Sequence, residues 1–183
     1  PRPRWGHTLT TIGDALFLFG GAVNDSSSSH HSSQQQAVPT SDFFEANTLN
    51  YGWEPVFSSA GSVPSPRAQH SATSYLGKNL IVFGGSPLSN NNSHLHNDLH
   101  CFDVVAQKWE VLSQDSEGKG NTIPTGRLGH TSVVFEDHLY VFGGKCNRKP
   151  AKAGEKEKSG LVLSDDVYCF DLQAKRWVKK VKK

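Results

Sequence analysis

The sequence predicts an all-β chain made of three successive four-stranded antiparallel units. Three observations carry this. A set of Arg, His, Phe-Gly-Gly, Asp and Trp positions recurs three times in one register. The step from Asp to Trp is the same in each copy: Asp42 to Trp53, Asp98 to Trp109, Asp166 to Trp177. The apolar run before each Gly pair does not alternate, so those strands are apolar on both faces and need cover from both sides. A radial unit sandwiched between two neighbouring units supplies that cover.

Each unit reads as strands A to D. The segment leading into strand A is Arg4-Trp5-Gly6-His7-Thr8, then Arg67-Ala68-Gln69-His70-Ser71, then Arg127-Leu128-Gly129-His130-Thr131. Gly13-Asp14, Gly77-Lys78 and Glu136-Asp137 are turn signals that make A and B a tight hairpin. Strand B is Leu16-Phe17-Leu18-Phe19, Leu80-Ile81-Val82-Phe83 or Leu139-Tyr140-Val141-Phe142. It ends at Gly20-Gly21, Gly84-Gly85 or Gly143-Gly144, where the chain turns or approaches another backbone closely. Strand C is clearest at Leu99-His100-Cys101-Phe102 and Val167-Tyr168-Cys169-Phe170. In repeat one Phe43-Phe44-Glu45-Ala46-Asn47 departs from that ending. Asp103, Asp171 and Asn47 open the C–D turns, where a side-chain oxygen accepts backbone N–H groups. Strand D carries the Trp, as in Lys108-Trp109-Glu110-Val111.

An apolar run, Gly-Gly, a spaced aromatic and Trp, three times over, resembles the kelch family of β-propellers. The fold expected is therefore a kelch-type β-propeller fragment with three four-stranded antiparallel blades, in repeats spanning residues 3–57, 66–112 and 126–181. Three blades do not close a ring, since propellers use roughly four to eight. The remaining blades are expected outside this chain. The absence of any Met fits a piece of a longer protein.

Composition excludes several classes. Net charge is only +2, which does not call for nucleic acid, and no apolar run is long enough to span a bilayer. Three cysteines, Cys101, Cys146 and Cys169, argue against a disulfide framework and for a reducing compartment. An intracellular location, cytoplasmic or nuclear, is expected. Matches to the N-glycosylation pattern at Asn24 and Asn91 lie in Ser/Asn-rich stretches where they arise by chance.

Strand alternation puts the A–B and C–D turns at one end of each blade and the B–C and D–A connections at the other. The first set is tight and the second long, so one face is elaborated and is where binding is expected. The kelch resemblance implies a protein partner there. The third insert is basic, which suits an acidic partner. The partner-binding residues expected are Lys145, Arg148, Lys149, Asn92 and His94.

The recurring residues read as structural. His7, His70 and His130 sit on successive blades, spread around a ring, and are expected to hydrogen-bond near the start of strand A rather than bind metal. Arg4, Arg67 and Arg127 share the elaborated face with Asp42, Asp98 and Asp166, and ion pairs pinning the loop ends are expected. Cys101 and Cys169 occupy one repeat position as core filler, while Lys and Arg neighbours could lower the Cys146 pKa. No catalytic constellation, metal site or cofactor motif assembles, and no enzyme is expected. The reading is a scaffold or adaptor binding protein through the B–C/D–A face. The rival reading is an enzyme or small-molecule binder using the central channel of a complete propeller.

Overall fold

A computed structural model describes residues 1–24, 37–88, 94–114, 123–147 and 160–181. All regular elements among them are strands. Repeat one holds β1 (Arg4–Trp5), β2 (Thr8–Ile12), β3 (Ala15–Phe19), β4 (Ala22–Asn24), β5 (Ala37–Pro39), β6 (Phe43–Asn47) and β7 (Trp53–Pro55). Repeat two holds β8 (Ser71–Tyr75), β9 (Asn79–Phe83), β10 (Leu99–Asp103) and β11 (Lys108–Ser113). Repeat three holds β12 (Arg127–Leu128), β13 (Thr131–Phe135), β14 (His138–Phe142), β15 (Lys145–Asn147), β16 (Leu161–Leu163), β17 (Val167–Asp171) and β18 (Arg176–Val181).

Three antiparallel sheets have the up-and-down order of a blade: β2-β3-β6-β7, β8-β9-β10-β11 and β13-β14-β17-β18. These are strands A to D of each repeat. The number of sheets differs from the three expected, because two further three-stranded sheets are present, β1-β4-β5 and β12-β15-β16. Their cause is local. The chain just before strand A runs antiparallel to the chain just after the Gly pair, as in Arg4↔Val23 and Arg127↔Cys146. The far arm of the B–C connection then adds a third strand. Among the described residues of repeat two the same place holds only the isolated bridge Ala68↔Ser86. Pro87 follows at once and has no N–H to extend the ladder.

The core lies between blades. Phe17, Phe19 and Phe43 of blade one meet Leu80, Val82, Phe102 and Trp109 of blade two. Ile81, Phe83 and Leu99 of blade two meet Leu139, Val141, Tyr168 and Phe170 of blade three. Strand β9 thus sends Leu80 and Val82 to one neighbour and Ile81 and Phe83 to the other. It is buried along its whole length, unlike β3 or β14.

The turns behave as their residue types require. Asp103 Oδ1 accepts from Val105 N at 2.9 Å and Ala106 N at 2.8 Å, and Asp171 Oδ1 accepts from Gln173 N and Ala174 N at 3.0 and 2.8 Å. Asn47 Oδ1 accepts from Leu49 N at 2.8 Å. Strand C of repeat one forms despite its divergent sequence. Phe43 anchors it edge-on to Phe102, at a centroid distance of 4.8 Å.

Candidate interaction face

The elaborated face is built on the three arginines. Each precedes strand A and reaches the point where strand B ends and strand C begins in its own blade. Arg67 is fully buried. Its Nη1 donates to Gly84 O at 3.0 Å, its Nε to Ser65 O at 2.9 Å, and its guanidinium grips both Asp98 oxygens at 2.7 and 2.8 Å. Burial alone would raise the Asp98 carboxyl. The hydrogen bonds from Arg67 and His100 outweigh it and hold the group well below the usual carboxylate range. Arg4 repeats the arrangement more openly, with Gly20 O at 3.0 Å and Asp42 Oδ2 at 2.9 Å. Arg127 donates to Gly143 O at 2.8 Å and stacks 4.9 Å from the Tyr168 ring centroid, while Tyr168 OH donates to Asp166 at 3.4 Å. These contacts lie within a blade and fix where each connection leaves it.

The histidines act between blades. His70 Nε2 pairs with Thr8 Oγ1 at 2.8 Å, and His130 Nε2 with Ser71 Oγ at 2.8 Å. Burial, helped by Arg67 and Arg127 respectively, pushes both imidazoles down to about 3. They are neutral at pH 7, and the hydroxyl link needs no charge. His7, on the first blade, is exposed.

The Gly pairs serve both directions. A Cβ on Gly84 would sit 2.8 Å from His130 Cε1 and 3.0 Å from Arg127 O, both on the next blade. A Cβ on Gly85 would sit 2.9 Å from His70 Cβ on its own blade. Gly20 and Gly21 meet the equivalent neighbours, His70 and His7. Gly144 meets His130, but a Cβ on Gly143 would find only Ser164 O, at 3.5 Å. Trp109 and Trp177 pack on the preceding blade. Trp109 lies on Phe19 and Phe43, Trp177 lies on Phe83, and Trp53 is exposed.

Of the expected partner contacts, Lys145 is exposed on β15, beside buried Cys146. His94 is exposed, with its ring 5.7 Å from that of His96. Asn92, Arg148 and Lys149 lie outside the described residues. Lys145 lies in the B–C connection of repeat three and His94 in that of repeat two, so the described face joins them only through the shared scaffold. The sequence reading missed the ribbon β12-β15-β16 under Lys145. Its signal was present in the short apolar stretch Leu161-Val162-Leu163.

The Cys101 and Cys169 thiols are not poised for chemistry. Burial, with Glu110 and Asp103 nearby, pushes Cys101 up to about 12, and burial raises Cys169. Cys146 Sγ faces Val162 O at 3.8 Å. Among the described residues no group of three or more His, Cys, Asp or Glu is arranged to hold a metal. His100 Nε2 pairs with Asp98 Oδ2 at 2.7 Å. Among the described residues no helix is long and apolar enough to cross a membrane.

Known proteins are similar to this chain in sequence. The chain is 30% identical over 175 residues to tip elongation aberrant protein 1 of Schizosaccharomyces pombe, covering 93% of this chain and 12% of that protein. It is 30% identical over 179 residues to kelch domain-containing protein 3 of Bos taurus, covering 97% of this chain and 40% of that one. A leucine-zipper-like transcriptional regulator 1 homolog of Drosophila melanogaster is 36% identical over 110 residues, 57% of this chain and 11% of the relative. The chain therefore spans less than half the length of each. The profile described as the KLHDC2/KLHL20/DRC7 Kelch-repeats domain matches residues 6–182, and the chain belongs to this kelch-repeat family.

Proposed function

We propose that this kelch domain is a protein-interaction scaffold that holds an acidic partner on its B–C/D–A face. The observation that carries this reading is the pairing of a rigid loop root with an exposed charge. Lys145 projects from a three-stranded ribbon whose neighbouring residue, Cys146, is buried. A side chain on a fixed root loses little freedom on binding, so its contacts retain more of their free energy. Lys149 and Arg148 follow in sequence and add positive charge. The opposite face offers only tight turns. No catalysis is assigned to this chain.

The test is capture of partners by the tagged protein from cell extract. The triple variant Lys145→Glu, Arg148→Glu, Lys149→Glu is compared with Asp14→Lys and Lys78→Glu on the turn face. The triple variant is expected to lose its partner by at least tenfold, and the turn-face variants to keep it. The association rate of the unaltered protein is expected to fall with added salt. Equal retention by both sets would move binding off this face.

A further inference from the structure

The sequence holds two Ser-Pro dipeptides, Ser65-Pro66 and Ser86-Pro87, and no Thr-Pro. The fold treats them differently. Ser86 is fully buried. Its N–H donates to Ala68 O at 2.8 Å, its carbonyl accepts from Ala68 N at 2.9 Å, and its Oγ accepts from Leu88 N at 3.0 Å. Ser65 and Pro66 are exposed, in the D–A connection between β7 and β8 and outside any strand. Pro64 and Pro66 flank Ser65. A residue before proline is biased to an extended backbone, and proline itself offers no N–H. Ser65 is therefore presented as an extended segment with its hydroxyl at the surface.

The position of Ser65 is built by the repeat. Arg67 Nε donates to Ser65 O at 2.9 Å, as Arg4 Nε does to Arg2 O at 3.1 Å and Arg127 Nε to Thr125 O at 3.2 Å. The residue two before each arginine is thus braced at one place on the elaborated face. Only in repeat two does that residue carry a hydroxyl followed by proline, since Thr125 precedes Gly126 and Arg2 has no hydroxyl. Ser65 Oγ accepts from Arg67 Nη2 at 3.1 Å and lies 3.5 Å from His96 Nε2. Arg67 directs its five N–H groups to Ser65 O, Ser65 Oγ, Gly84 O and the two Asp98 oxygens. A phosphate on Oγ would gain the charge of Arg67 but find no spare N–H on it. Its oxygens would turn instead toward the imidazole of His96, and Arg67 would stand between the new anion and Asp98.

We infer that Ser65 is a phosphorylation site for a proline-directed protein kinase, with the phosphate seated against His96 beside Arg67. In the transfer, Ser65 Oγ bonds to the γ-phosphorus of ATP as the bond to the ADP oxygen breaks, and the hydroxyl proton leaves to the kinase. The product carries about −1.5 to −2 charge at pH 7. That charge lands on the B–C/D–A face, at the entrance to the B–C connection of repeat two. Its consequence for binding rests on the reading of this face as the seat of an acidic partner: like charge then opposes the partner, and phosphorylation releases it.

Incubation of the folded chain with ATP, magnesium and a purified proline-directed kinase, followed by site mapping by mass spectrometry, tests the inference. Synthetic peptides around each Ser-Pro give the two rates without the fold. Normalised to its peptide, Ser65 in the folded chain is expected to be modified at least tenfold faster than Ser86, and Ser65→Ala to lose that modification. An unmodified Ser65, or equal normalised rates, would overturn the site. Proton NMR then reads the seat. The His96 Cε1–H resonance is expected to titrate at higher pH in the phosphorylated chain, because a neighbouring dianion favours the imidazolium. An unmoved midpoint would overturn the contact with His96. Capture of partners from cell extract separates the regulatory role from the scaffold reading. The phosphorylated chain is expected to retain at least tenfold less partner than the unmodified chain or Ser65→Ala. A partner kept by the phosphorylated chain but lost by the triple variant at Lys145, Arg148 and Lys149 would overturn the regulatory role alone. A partner kept by both would overturn the scaffold reading and, with it, release by phosphorylation, while the mapped site would stand.

Discussion

Single side chains set how this fold responds to acid. His70 and His130 are buried, bonded through Nε2 to a hydroxyl of the preceding blade, and held down to about 3 by burial first and a nearby arginine second. In an unfolded chain a histidine titrates near 6.5. Between those values the unfolded chain binds more protons than the folded one, so stability rises with pH. It is fully present above about 6.5 and is lost as pH falls toward about 3. Each histidine contributes a slope of up to about 1.4 kcal/mol per pH unit across that window. Asp98, held low by Arg67 and His100 against its own burial, works in the same direction at lower pH. Urea unfolding is therefore expected to show stability roughly 4 kcal/mol lower at pH 5 than at pH 7. The variant His70→Gln with His130→Gln keeps an amide nitrogen near Nε2 but does not titrate, so its slope should be nearly flat. An unchanged slope would remove these two residues as the acid-sensitive groups.

At the scale of elements, the Gly-Gly that ends strand B is a two-sided joint. The first glycine makes room for the following blade and the second for its own. Gly84 and Gly143 have similar backbones, with φ of 67° and 72°. They differ in what lies beside them. A methyl group at Gly84 would collide with Arg127 O and the His130 ring, whereas at Gly143 it meets only Ser164 O at 3.5 Å. Gly143→Ala should cost only the left-handed backbone penalty, about 1 kcal/mol. Gly84→Ala should add the collision and separate blades two and three, costing about 3 kcal/mol or more. Chemical denaturation measures both. Equal losses would mean that the interblade contact at Gly84 relaxes without cost. The ribbons β1-β4-β5 and β12-β15-β16 belong to this scale too. They turn the ends of two long connections into fixed roots, and so decide which loop residues can bind without a large ordering cost.

For the whole molecule, stability follows position in the stack. Blades touch only their neighbours, so the total is close to a sum of repeat and interface terms. Strand β9 is covered on both faces by neighbouring blades and buried at every position, with Leu80 and Val82 on one side and Ile81 and Phe83 on the other. Hydrogen exchange should find the β9 amides the slowest, exchanging through global unfolding. Amides of β7, an exposed outer strand of the first blade, should exchange earliest among the blade strands. If β3 or β14 were as protected as β9, the stacking of blades would not be what limits opening.

The sequence by itself determined the repeat, the strand order within each blade and the residues that define it. Those features rest on local chemistry repeated in register: non-alternating apolar strands, glycines at strand ends, and Asp or Asn opening the C–D turns. It also pointed to Arg4, Arg67 and Arg127 and to Asp42, Asp98 and Asp166 as neighbours, since strand alternation puts them at one end of a blade. The tertiary structure decided what lies across the gap between blades. That His70 would meet Thr8 and His130 would meet Ser71 depends on a pairing some sixty residues apart in the chain, which no local pattern specifies. The five sheets instead of three arose in the same way, from three-residue strands too short to announce themselves, such as Ala22–Asn24 and Lys145–Asn147. Their pairing partners are brought alongside by the blades. Local sequence fixes which surfaces are apolar, and only packing decides which of them end up facing each other.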